Sequence, residues 1–71
     1  MYDFSNAPPA AHVKQLRALL GLNQTEFGAM LHSSMRSVQQ WESGERKMHP
    51  STWELALIKA ERIRPLPEVW A

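Results

Sequence analysis

Residues 22–44, LNQTEFGAMLHSSMRSVQQWESG, constrain what this chain can fold into more than any other stretch. Their apolar positions predict two short helices, over residues 24–31 and 35–43, with a polar turn between them. Phe27, Met30 and Leu31 fall at i, i+3 and i+4, and Val38 and Trp41 at i and i+3, so each helix has one face to bury. At about two to three turns, neither helix is stable alone in water. They must pack on each other and on what flanks them. The boundary residues agree with this division. Asn23 is a good N-cap, and Glu26 stands three residues later as in a capping box. Ser34 can cap the second helix, and Gly44 suits its end. His32, Ser33 and Ser34 make a short polar connection.

The flanks must therefore supply the rest of a core. Seventy-one residues make one domain, and a domain of this size buries only about 60% of its unfolded surface. With no cysteine, neither a disulfide nor a thiolate metal site can staple it. That leaves a compact helical core, an oligomer, or both. The lack of cysteine fits an intracellular protein. No apolar run approaches the roughly 20 residues of a membrane span, and no basic-then-apolar leader opens the chain. The expectation is a soluble, cytoplasmic protein with no membrane contact.

Upstream, residues 1–8 carry Tyr2 and Phe4 without a period and read as a frayed arm. An arm that packs on a partner subunit or touches DNA is disfavoured, because the segment has an acid and no base. Pro8 and Pro9 lead into a helix over residues 9–20, with Pro9 suited to its first position. Val13, Leu16 and Leu20 form its buried stripe, with Leu19 alongside, and Gly21 ends it. Downstream, residues 45–50 read as a polar loop. A last helix then runs to about Arg64, where Pro65 stops it. Its start has two legal forms. Ser51 can open it with Glu54 in a capping box, or His49 can cap it with Pro50 first. Trp53, Ala56, Leu57 and Ala60 form its core stripe. Leu55, Ile58 and Ile63 exceed what one packing face needs. They are either a thick core stripe or a contact surface for a second subunit. Residues 65–71 cannot continue the helix. Leu66, Val69 and Trp70 need a surface, on their own core or across a dimer.

The stretch resembles the helix-turn-helix of the lambda-repressor-like, or XRE-family, DNA-binding domains. The residues that carry the resemblance are Arg17, Gly21, Leu22, Asn23, Gln24, Glu26, Phe27, Leu31, Ser34, Val38, Trp41, Glu42 and Gly44. His32 stands where the family usually has glycine, and Ser33 where it usually has an apolar residue. The resemblance implies an all-α bundle of four to five helices over residues 9–64. It also implies an ion pair between Arg17 and Glu42 that fixes the second motif helix against the first helix of the chain.

In such a motif the second helix enters the major groove of double-stranded DNA. With Val38 and Trp41 turned inward, Met35, Arg36, Ser37, Gln39, Gln40 and Ser43 are left outward. Family positions matching Met35, Arg36 and Gln40 commonly reach bases. The Arg36 fork can donate to guanine O6 and N7, and Gln40, one turn on, can pair with adenine. Met35 offers apolar contact, and Gln39 is a lesser reader. Phosphate contacts are expected from Gln24 at a helix N-terminus, as in the family. Ser37, Ser43, Arg46 and Lys47 are further candidates. A solvated surface residue is the bland alternative at each of these positions. The net charge of +1 is no nucleic-acid signal by itself.

Catalysis finds little support. His12, His32 and His49 lack metal-ligand spacing, and three isolated glycines make no phosphate loop. No cofactor is expected. The reading is a sequence-specific regulator, a homodimeric repressor that controls its own gene. The rival is a protein-interaction module, antitoxin-like or an adaptor, that uses the Leu55–Trp70 region on the same scaffold.

Overall fold

A computed structural model describes residues 6–66. Within them the chain forms four α-helices and no strand: α1 (Ala10–Leu20), α2 (Gln24–Met30), α3 (Met35–Ser43) and α4 (Pro50–Ile63). The architecture is all-α. α3 packs against both α1 and α2.

Local chemistry sets each boundary. Pro9 is the N-cap of α1 rather than its first residue, and its carbonyl accepts from the His12 and Val13 amides at 3.0 and 3.3 Å. Gly21, at φ 70°, turns the chain left-handed, and the Gly21 and Leu22 amides return to the carbonyls of Ala18 and Arg17. At α2 the Asn23 side chain accepts from the Glu26 amide at 2.8 Å, and the Glu26 side chain accepts from the Asn23 amide at 2.9 Å. The reciprocal capping box is therefore formed. Of the two legal starts for α4, the chain takes the one with Pro50 inside the first turn. His49 Nδ1 accepts from the Ser51 amide at 3.1 Å, so no box forms between Ser51 and Glu54. Arg64 is extended, at φ −160°, as the residue before Pro65 must be.

The turn between α2 and α3 is a left-handed C-cap built on histidine. His32 has φ 57°. The Ser33 amide donates to the Gly28 carbonyl at 2.8 Å, and the His32 amide to Ala29 at 3.2 Å. This closes α2 at Met30, with Leu31 as its cap rather than its last residue. Gly28 is required here for space. A Cβ on it would lie 2.8 Å from the Ser33 carbonyl oxygen and 3.0 Å from that of Ser34.

The core is one cluster drawn from all four helices: Val13 and Leu16, Phe27 and Leu31, Val38 and Trp41, then Trp53, Ala56, Leu57 and Ala60. Leu20 and Met30 are partly buried against it. Two members come from outside the helices, Leu31 at the cap of α2 and Met48. Met48 is fully buried, at 1% exposure, although residues 45–50 read as a polar loop. It precedes the His49 cap, and Trp53, also fully buried, stands in the first full turn. These are the two positions of a hydrophobic staple. Leu22 and Phe27 hold the same positions about Asn23. Met48→Ala is expected to cost about 2–5 kcal/mol. A lower urea midpoint at an unchanged slope checks it.

Candidate nucleic-acid interface

α3 presents two faces with different chemistry. Val38 and Trp41 are buried. Arg36, Gln39 and Ser43 are exposed, Ser37 and Gln40 are half-buried, and Met35 is 47% exposed at the helix start. Arg36, Gln39, Gln40 and Ser43 line one shallow depression, with Glu45 at its edge. This clustering follows from helical period, since the residues lie three and four apart. Ser34 caps the helix by accepting from the Ser37 amide at 3.1 Å. Its hydroxyl also lies 3.2 Å from that of Ser37. The Ser43 hydroxyl donates back to the Gln40 carbonyl at 3.2 Å.

The back of α3 is tied to α1. Arg17 Nε donates to Glu42 Oε2 at 2.6 Å, and Nη2 donates to Oε1 at 3.0 Å. The third guanidinium nitrogen, Nη1, donates to the Leu22 carbonyl at 3.1 Å, which reaches the connection before α2. The Arg17 and Glu42 side chains are 19% and 6% exposed, so the pair is largely desolvated. The hydrogen bond to Glu42 raises the Arg17 pKa further, against the lowering that burial exerts. Arg17 stays charged at any pH the protein meets.

Ser33, Ser37, Trp41, Arg46, Lys47 and His49 line a second groove. Arg46 and Lys47 are exposed, and the pair of Arg17 and Glu42 is the one salt bridge among the described residues. Two cations and two serine hydroxyls thus border one channel. Such a channel has the chemistry to take the sugar–phosphate edge of a duplex.

The family model for helix-turn-helix domains of the lambda-repressor-like (XRE) type matches residues 13–56, more than half of the chain. The chain belongs to this family. It is a DNA-binding domain of the type found in XRE regulators, and its partner is DNA. No curated protein matches it.

In this XRE-type domain the remaining candidate residues divide. Gln24, at the start of α2, is half-buried and hydrogen-bonded within the protein. Its Nε2 donates to Glu42 Oε1 at 3.4 Å, and its Oε1 accepts from Gln39 Nε2 at 3.3 Å. On α4, Ile58 and Ile63 are 47% and 53% exposed. Leu55 and Leu66 are instead partly buried on the domain's own core. Val69 and Trp70 lie outside the described residues. No helix among the described residues is long and apolar enough to cross a membrane.

Two side chains that the sequence did not single out hold helix ends. Lys59 Nζ donates to the Met30 carbonyl at 2.6 Å and lies 3.5 Å from His32 Nε2. Arg64 Nη1 donates to the Leu19 carbonyl at 2.8 Å. Each places a cation on the negative end of an earlier helix.

Removing one partner of the tie between α1 and α3 should be costly. Arg17→Met leaves the Glu42 carboxylate buried and uncompensated, at roughly 3 kcal/mol. Glu42→Gln should cost a similar amount. The double variant should recover part of the loss, and a double-mutant cycle by chemical denaturation measures the coupling.

Proposed function

We propose that this domain is a sequence-specific transcriptional repressor, acting as a homodimer with α3 in the major groove. The observation that carries the reading is the outward face of α3. Arg36, Gln39 and Gln40 share one depression, while Val38, Trp41 and the Glu42 pair hold the opposite side fixed. Arg36 supplies a bidentate donor for guanine, and Gln40 an amide for adenine. Met35 gives apolar contact at the helix start. Ser37, Ser43, Arg46, Lys47 and the N-terminal turn of α2 at Gln24 hold the flanking phosphates. Two copies set their recognition helices about 34 Å apart on successive half-sites. Bound over a promoter, the pair excludes polymerase, and the simplest target is the promoter of its own gene.

The exposed side of α4 supports the dimer. Ile58 is flanked one turn before by Glu54 and one turn after by Arg62, both exposed. In an antiparallel pairing of two α4 helices about Ile58, Glu54 lies opposite Arg62 of the partner subunit, and the pairing is self-complementary. The second reading, a protein-interaction module, draws on the same exposed isoleucines, with a different protein in place of the second copy.

The test is binding to the duplex upstream of the gene, against a scrambled competitor, at two salt concentrations. Binding that survives competitor, with a footprint of two related half-sites one helical turn apart, supports the reading. Equal binding to both duplexes that vanishes with salt would remove it. Arg36→Ala should leave the fold intact and relax one base position, losing roughly 1–3 kcal/mol of discrimination there. Equal weakening on every sequence would make Arg36 a phosphate contact. Ile58→Glu should yield a folded monomer in sedimentation that binds a two-half-site duplex more weakly. A dimer unchanged by Ile58→Glu would move the interface elsewhere.

A further inference from the structure

The turn between α2 and α3 brings a nucleophile and a base together. Lys59 Nζ, on α4, lies 3.5 Å from His32 Nε2 and 2.6 Å from the Met30 carbonyl oxygen. An ammonium can only donate, so Nε2 accepts and the neutral ring carries its hydrogen on Nδ1. Among the described residues no carboxylate pairs with Lys59. His32 is exposed and Lys59 half-buried, so the pair is reachable from solvent while the amine is held in place. The backbone does not ask for an imidazole here. At φ 57° glycine would sit more easily than histidine.

We propose that Lys59 is a site of acyl transfer from a small acyl thioester, with His32 as the general base, and that acylation loosens the turn between α2 and α3. A lysine amine attacks only once a proton has left it, and an adjacent base takes that proton. The 3.5 Å contact is of the loose kind that tightens when a reactant binds. The ammonium passes one proton to His32 Nε2, and the freed lone pair forms an N–C bond to the thioester carbonyl. The C–S bond breaks. The thiolate leaves with a second proton from Nζ, and the imidazolium releases the first to solvent. The products are an Nζ-acyl-lysine and a thiol, and nothing is oxidised or reduced.

The amide product carries no charge. The cation that Lys59 places on the end of α2 is therefore lost. The turn is left with its backbone bonds, from the His32 and Ser33 amides to Ala29 and Gly28. Ser34, the cap of α3, follows directly. Acylation thus acts on the join between the motif helices, whatever DNA sequence α3 meets.

The test is incubation of the full chain with acetyl-coenzyme A at neutral pH, with peptide mapping by mass spectrometry giving the initial rate at each lysine. Lys14 and Lys47, the other two lysines of the chain, are exposed and serve as internal references. Lys59 should be acetylated about ten-fold faster than either, or more. His32→Gly suits the left-handed backbone and removes the base. His32→Asn also tolerates that backbone and has no basic nitrogen. In both variants, shown to be folded by thermal unfolding, the rate at Lys59 should fall to that of the references. Wild-type protein acetylated at Lys59 should melt at a lower temperature than before. Lys59→Arg, acetylated at Lys14 and Lys47 alone, should keep its midpoint. A rate at Lys59 no higher than at the references, or an advantage that survives both His32 variants, would overturn the nucleophile–base pair. A melting point unchanged by acetylation at Lys59 would overturn the loosening of the turn.

Discussion

The bidentate pair of Arg17 and Glu42 is the directional element of the domain. α3 is nine residues long and buries only Val38 and Trp41, so its own contacts cannot orient it uniquely. Apolar burial holds it close but is indifferent to small rotations. Two parallel N–H···O bonds from a planar guanidinium to a planar carboxylate are not indifferent. They fix the rotation of α3 about its axis, and so decide which side chains face outward. The third nitrogen of Arg17, on the Leu22 carbonyl, extends the constraint to the start of α2. One side chain on α1 thereby registers both motif helices. The arrangement also explains how a chain without cysteine holds a well-defined outer surface. The charged pair contributes geometry more than net stability, because desolvation offsets much of its attraction.

The turn between the motif helices meets a second constraint with unusual residues. A left-handed residue is needed at position 32, and His32 supplies it at φ 57° where glycine would be easier. The ring nitrogen of that histidine lies beside Lys59 of α4, so the turn is tied to the last helix as well. Ser33 carries no apolar side chain to staple α3, and its amide instead closes on the Gly28 carbonyl. The close approach of the Ser33 and Ser34 carbonyls then excludes any side chain at position 28.

The helices and most of the core were legible because they rest on local period. Phe27 with Leu31, Val38 with Trp41, and the stripe from Trp53 to Ala60 needed only spacing and caps. The start of α4 stayed open between two forms, since His49 with Pro50 and Ser51 with Glu54 are both sound local chemistry. The backbone preference of proline for the first turn is what separates them. Met48 went unnoticed because one apolar residue among polar neighbours has no period. Its place just before a cap was the available signal. The ends of α1 and α2 could not be completed from sequence, because Lys59 and Arg64 bond to carbonyls 29 and 45 residues away. For the site, helical spacing collects Arg36, Gln39, Gln40 and Ser43 on one face. The link from Gln39 through Gln24 to Glu42 crosses two helices and obeys no single period, so only the fold reveals it.

The reach of Lys59 and Arg64 bears on how the chain matures during synthesis. Both belong to the last helix, and both complete helices made long before it. Trp53, the largest fully buried side chain, belongs to the same late segment. A nascent chain that has exposed α3 but not α4 has neither a filled core nor closed ends for α1 and α2. The outward face of α3 is already synthesised, and Arg17 can pair with Glu42, yet the core behind them lacks Trp53 and the rest of α4. The outward face of α3 is therefore backed by a complete core only once α4 has emerged and packed.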